Sequence, residues 1–238
     1  MRIAVAGGTG VVGRHVVEAA RERGHDVVVL SRGEGVDLTT GAGLAERLAG
    51  VDAVVDVTSV RTQKREDAEA FFGGVTRHLQ AAGPAHLVAL SIVGIDRVDT
   101  GYYAGKRLQE LALAEGATPW SVLRATQFHE FAEQALGFVR VGPFSLVPRM
   151  RSQTVAAREV AVALVDLAVA GPSGRVPDLA GPEVHDMVDL ARRVADGRRV
   201  VPVRLPGAAG RAMRSGGLLP TEDGPRGRIT FDQWLAHR

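Results

Sequence analysis

The sequence predicts an α/β fold built on a doubly wound parallel sheet. Three observations carry that expectation. Apolar β-branched runs alternate with amphipathic helical stretches, the runs are apolar on both faces, and the first of them ends in a glycine-rich turn that opens a helix. Strands buried on both faces belong in parallel sheets, and a helical stretch between two strands supplies the crossover a parallel neighbour requires.

Taken in order, residues 2–6 read as a strand, and 11–23 as a helix whose apolar positions Val12, Val16, Val17 and Ala20 recur at helical spacing before Gly24 stops it. A strand at 27–30 follows, then a short strand over 35–38, a helix over 42–49 and a strand at 53–57. Residues 66–82 predict a helix broken by Gly83-Pro84, and 86–91 a strand. Helix 101–115, strand 120–124 and helix 128–138 complete the alternation. Beyond about residue 140 the pattern weakens. A short apolar segment opens at 142–144, helices read at 156–170, 186–196 and 230–236, and short strands at 175–181 and 199–205. The Gly/Arg-rich stretch 206–228 reads as the most mobile part. The expected organisation is a nucleotide-binding core over 1–140, with 141–238 forming a small C-terminal lobe that covers the substrate and is integrated with the core.

The turn Gly7-Gly8-Thr9-Gly10-Val11-Val12-Gly13 follows the first strand and opens the first helix, the order a dinucleotide site needs. Gly7 and Gly8 permit the tight turn, Gly10 clears the approach of a pyrophosphate, and Gly13 lets helix and sheet pack closely. The N–H groups of Gly10, Val11 and Val12 are expected to point at the phosphates from a positive helix N-terminus. The next strand ends in Ser31-Arg32, a hydroxyl and a guanidinium where an NAD-selective site places an acid. That pair suits a 2′-phosphate, so NADP(H) is preferred over NAD(H). Asp37-Leu38 falls where such folds surround the adenine, with a turn or cap role for Asp37 as the alternative. Thr58-Ser59 ends a central strand on the side where ligands bind.

Composition narrows the remaining classes. The 238 residues, 45% of them hydrophobic, suffice for one large core or for a core with a small lobe. With no cysteine, disulfides and thiolate chemistry are excluded. The 29 basic and 27 acidic residues nearly balance, so no nucleic-acid partner is expected despite a sequence pI near 9.5. The chain opens directly on a core strand, with no leader and no apolar run able to span a bilayer, and a soluble cytoplasmic protein without a membrane partner is expected. The 7 histidines show no metal-ligand spacing, and no G-x-S-x-G turn points to a hydrolase. A small-molecule substrate is the expected partner, and a homodimer is open because helices flanking such sheets often pair.

Tyr102-Tyr103-Ala104-Gly105-Lys106 carries the candidate chemistry. Four residues apart on a helix, Tyr102 and Lys106 share a face. A phenol titrating near its free value of ~10 is a poor acid at neutral pH, and an ammonium beside it is expected to lower that value. Lys106 is also expected to bind the nicotinamide ribose, and Ser91 to polarise the same carbonyl oxygen as Tyr102. The plainer reading, a packed tyrosine and a solvated lysine, is weakened by composition. Both tyrosines of the chain lie here, and Lys106 is one of two lysines among 29 basic residues. Gln127 and His129 follow the next strand and are candidates to face the substrate, with an ordinary helix-start histidine as the alternative for His129.

Together these motifs resemble the atypical short-chain dehydrogenases/reductases. Leu90-Ser91-Ile92-Val93-Gly94-Ile95-Asp96, Gly101-Tyr102-Tyr103 and Val122-Leu123-Arg124-Ala125-Thr126-Gln127-Phe128 are most similar to their NmrA-like, NAD(P)H-binding branch. The likeness covers roughly the first 140 residues and implies an extended-type Rossmann fold binding NAD(P)H at the glycine turn. The chain departs from the family in a shorter Ser91–Tyr102 interval and in Arg124-Ala125, where relatives often carry a proline. The expected activity is NADPH-dependent reduction of a small carbonyl or quinone-like substrate. The alternatives are a non-catalytic NAD(P)-sensing regulator and a biosynthetic isomerase or oxygenase acting on a polyketide-like substrate.

Overall fold

The computed structural model describes residues 1–237. The chain forms two compact units, one of residues 1–91, 100–124 and 158–177, the other of residues 92–99, 125–157 and the chain from 178 on. The units interleave, so the stretch up to residue 140 contributes 92–99 and 125–140 to the second unit, while 158–177 return to the first.

Strands and helices alternate as β1 (Arg2–Ala6), α1 (Val11–Glu22), β2 (Asp26–Leu30), α2 (Leu44–Arg47), β3 (Ala53–Asp56), α3 (Arg65–Ala81), β4 (Leu87–Ile92), α4 (Gly101–Glu115) and β5 (Trp120–Ala125). Then come α5 (Phe131–Phe138), β6 (Arg140–Val141), β7 (Phe144–Pro148) and β8 (Arg151–Ser152), followed by α6 (Ala157–Ala170) and β9 (Gly174–Arg175). The chain closes with β10 (His185–Asp186), α7 (Met187–Arg193), β11 (Arg199–Val203), α8 (Gly207–Arg214) and α9 (Phe231–Ala236). No helix of the described residues is long and apolar enough to cross a membrane.

The first unit holds a parallel sheet in the order β2-β1-β3-β4-β5-β9, flanked by helices as the patterning predicts. Alternate strand residues separate its two faces. Ala4, Ala6, Val54, Leu87, Ala89 and Val122 form one core with Val75 and Leu79 of α3 and Leu113 of α4. Ile3, Val5, Val55 and Val88, all fully buried, alternate with them and face the opposite layer. There α1 and α6 lie side by side, tied by Arg23–Asp166 and Arg158–Glu22 ion pairs.

The expected strand at 35–38 does not form. Gly35, Gly41 and Gly43 all take φ near +77, and the Asp37 carboxylate accepts the Thr39 N–H and hydroxyl at 2.8 and 2.6 Å. The chain therefore doubles back, leaving one isolated Asp37–Ala42 bridge. The helix expected over 42–49 shrinks to α2, and the strand expected over 175–181 to β9.

In the second unit β11 pairs in parallel with β7 from Arg199↔Phe144 to Val203↔Pro148, and β6 pairs with β7 antiparallel. Helices α5 and α7 pack on β7. Within the stretch 206–228, residues 207–214 form α8. The Arg97 guanidinium donates to the Gly217 and Leu219 carbonyls at 3.1 and 2.5 Å, anchoring the turn that follows.

Candidate functional site

β1 and β3 pair in parallel from Ile3↔Ala53 to Ala6↔Asp56, which sets their carboxyl ends side by side. The strand order changes direction at this pair, and open α/β sheets bind ligands at such switch points. The glycine turn leaves β1 there. Gly7 has φ +82, and a Cβ on it would lie 2.9 Å from the Val57 carbonyl oxygen. A Cβ on Gly13 would collide with the Gly7 carbonyl, so only glycine permits this approach of helix to turn.

The Gly10 N–H is not free for a phosphate, because it closes the turn on the Gly7 carbonyl at 2.9 Å. The N–H groups left without helical partners belong to Val11, Val12 and Gly13, since the helical ladder begins with Arg14 N–H to Gly10 O at 3.1 Å. Thr9 and Gly10 are exposed, no side chain caps this end, and no acidic residue stands in its first turn. An anion is therefore favoured there. Beside the turn, Thr58 N–H donates to Asp56 Oδ1 at 2.9 Å, while the Thr58 hydroxyl is buried without a hydrogen-bond partner. An unmade hydrogen bond of that kind costs about 1–3 kcal/mol, and a polar ligand would relieve it. These residues fit a dinucleotide.

Beyond β2, Ser31 opens a short 3-10 turn with Arg32 exposed in its first position. The two hydrogen bonds from Thr39 hold the Asp37 carboxylate below its ordinary range, and they commit it to the turn. Leu38 packs against the hydrophobic core and its carbonyl meets His78 Nδ1 at 3.0 Å. The turn role weighed for Asp37 is thus the one its geometry serves.

The chemistry-bearing face of α4 meets the end of β3. Thr100 caps the helix by accepting the Tyr103 N–H at 3.3 Å, and Gly105 brings α4 against Ala68 and Phe72 of α3. The Tyr102 hydroxyl lies 2.9 Å from Ser59 Oγ, and its ring packs edge-to-face on Phe72. Burial raises the Tyr102 pKa, with Asp56 adding to the rise against the opposing Ser59 hydrogen bond. Tyr103 is raised further, also by burial.

Lys106 does not take the place expected of it beside the phenol. Its ammonium turns inward, donating to the Leu90 carbonyl and to Gln109 Oε1, both at 2.9 Å, and stands 4.3 Å from the centre of the Phe72 ring. Desolvation pulls its pKa down to about 8, against the opposing pull of Asp56 and Glu110. The expected lowering of the Tyr102 pKa by Lys106 is therefore replaced by a rise from burial. Ser91 likewise leaves the expected trio: its hydroxyl donates to Glu110, whose carboxylate is also gripped by Arg124 at 2.6 and 2.8 Å.

Sequence reasoning missed Asp56, Gln109 and Glu110, although signals for them exist. Asp56 is a lone charge within the apolar run Ala53-Val54-Val55-Asp56-Val57, and Gln109 and Glu110 stand three and four residues beyond Lys106, on its own helical face.

In the second unit His129 is fully buried with both ring nitrogens engaged, Nδ1 with Thr154 Oγ1 at 2.8 Å and Nε2 with the Ile229 carbonyl at 3.0 Å. Since a carbonyl only accepts, Nε2 carries a proton and donates it to Ile229. Both ring nitrogens are thus engaged within the protein. Gln127 differs, for both atoms of its buried amide lack a hydrogen-bond partner.

Residues 3–89 match the model of the NAD dependent epimerase/dehydratase family. A 3-diazoavenalumate denitrifying reductase of a Streptomyces species is 37% identical over 101 residues, covering 37% of this chain and 33% of that protein's length. Among solved structures, the NADPH complex of an NADPH-dependent quinone oxidoreductase from Escherichia coli superposes with a TM-score of 0.72 at 19% identity, over 99% of both chains. The NAD complex of UDP-glucose 4-epimerase from Thermus thermophilus does so with a TM-score of 0.64 at 20% identity, over 100% of this chain and 93% of the other. The fold is that of NAD(P)-binding Rossmann proteins.

Proposed function

We propose that the protein is a nicotinamide-dependent reductase that prefers NADPH and reduces a small carbonyl or quinone-like substrate. The observation that carries this reading is the Tyr102 phenol, held by Ser59 at the end of β3 beside the glycine turn. A bound nicotinamide supplies the hydride. Val11, Val12 and Gly13 N–H groups hold its pyrophosphate, the Thr58 hydroxyl adds a bond, and Ser31 with Arg32 receives the 2′-phosphate. Tyr102 gives a proton to the substrate oxygen as negative charge develops there, and the exposed Ser59, both donor and acceptor, relays its replacement from solvent. Burial keeps the phenol neutral, so its proton is held until negative charge develops on the substrate oxygen. The quinone oxidoreductase supports reduction with NADPH, and the epimerase complex supports a nicotinamide site of broader choice.

The test is calorimetric titration with NADPH and NADH, followed by turnover assays on quinones and aromatic carbonyls. Tight binding with turnover that Tyr102→Phe abolishes supports the reading. Binding without turnover on any of them favours the sensing regulator.

A second reading rests on the similarity to the denitrifying reductase. In it the hydride displaces dinitrogen from an aryl diazonium: a C–H bond forms, the C–N bond breaks, and its electron pair leaves with N2. That reaction consumes no proton, so Tyr102→Phe separates the readings, leaving diazonium turnover intact.

A further inference from the structure

Lys106 is the end of a buried chain of hydrogen bonds that starts on β3. Asp56, Gln109 and Lys106 are 1%, 1% and 4% exposed. Asp56 Oδ1 accepts the Thr58 N–H at 2.9 Å, which orients the carboxylate. Its Oδ2 accepts Gln109 Nε2 at 2.8 Å, and Gln109 Oε1 accepts from Lys106 Nζ at 2.9 Å. The order admits one direction only. A carboxylate can only accept and an ammonium only donate, so the amide between them must turn its N–H2 to Asp56 and its oxygen to Lys106.

We propose that Asp56, acting through Gln109, is a positioning residue for Lys106: the carboxylate sets the orientation of the amide, and the amide oxygen holds the ammonium at the buried face of α4. The same four-residue strand end thereby places both members of the Tyr102–Lys106 pair, Tyr102 through Ser59 and Lys106 through Asp56. The charged groups acting on Lys106 are Asp56 from β3 and Glu110 from its own helix, the latter engaged with Arg124 of β5 and Ser91 of β4; α3 contributes the Phe72 ring. Burial alone drives the amine toward its neutral form, and Asp56 is the first of the two carboxylates that oppose this. The catalytic meaning of this placement rests on the reductase reading, while the placement itself does not.

The chain has only two lysines, so lysine labelled with 13C at Cε yields two resonances, and Lys64→Arg assigns them. The titration is followed in the protein without cofactor or substrate. Asp56→Asn puts a donor where Gln109 Nε2 needs an acceptor, so the amide turns and faces Lys106 with its own N–H2. The Lys106 midpoint is expected to fall by about one pH unit or more, a tenfold change in the equilibrium. Adding Gln109→Glu restores the polarity of the chain. The new carboxylate accepts from Lys106 and from the new amide at 56, whose oxygen still accepts the Thr58 N–H. The double variant is expected to return the midpoint to the wild-type value or above. An unchanged midpoint in Asp56→Asn, or a double variant that stays low, overturns the proposal. Where Asp56→Asn does not fold, the double variant decides alone, and a midpoint below wild type overturns it. Turnover plays no part in this measurement, so failure of the reductase reading is seen separately.

Discussion

Tyr102 Oη lies 2.9 Å from Ser59 Oγ, joining the first turn of α4 to the residues that follow β3. Ser91, the hydroxyl expected to share a substrate oxygen with that phenol, is committed to Glu110 instead. Tyr102→Phe is expected to lower carbonyl or quinone reduction by roughly a hundredfold or more, since it removes the proton donor. Ser59→Ala should cost about tenfold, the worth of one hydrogen bond to the reacting group. Ser91→Ala should leave kcat near wild type. Steady-state kinetics on the three variants, with NADPH affinity measured separately, checks the order.

Thr58→Val removes a buried hydroxyl that has no protein partner, so stability in urea should not fall. Binding of the dinucleotide should weaken by up to about tenfold, because the ligand loses an acceptor or donor. Arg32→Ala should weaken NADPH far more than NADH, and equal losses would show that Arg32 does not read the 2′-phosphate. Calorimetric titration measures both.

Arg124 and Glu110 form an ion pair with side chains only 7% and 16% exposed. Arg124→Met strands the carboxylate beside Ser91 and should destabilise the fold by about 3–5 kcal/mol. Pairing it with Glu110→Gln should recover much of that loss, because no uncompensated charge is left buried. Chemical denaturation of the single and double variants decides.

His86 is 3% exposed, with Nε2 at 2.9 Å from Ser121 Oγ. Burial lowers its pKa from the ordinary 6.5, so the unfolded chain takes up a proton more readily than the folded one. Its contribution to stability is fully present above 6.5 and is lost as pH falls through the folded value. Wild type should therefore lose more stability than His86→Gln between about pH 7 and pH 5, read from denaturation midpoints at each pH.

Local pattern was enough for the long helices and the central strands, while α2 is shorter than its pattern and α8 was not read at all. α4 spans Gly101–Glu115 as its periodicity and stop signals indicate, and β1, β2 and β3 lie within a residue of their apolar runs. The short apolar stretch at 35–38 misled, because three positive-φ glycines and an aspartate turn outweigh two apolar residues at a sheet edge. The glycine turn was legible for the same reason in reverse: Gly7 and Gly13 stand where backbone approaches so closely that a Cβ has no room.

The sequence by itself determined the parallel sheet, the turn that opens α1 and the helical face shared by Tyr102 and Lys106, since each follows from the spacing of neighbouring residues. Partnership was decided only by the tertiary structure. Which hydroxyl reaches Tyr102, and which carboxylate governs Lys106, depends on the end of β3 arriving at α4 some 43 to 53 positions away in the chain. No local period encodes such a meeting, because it arises from the packing of sheet and helix and from the need to pair every buried charge.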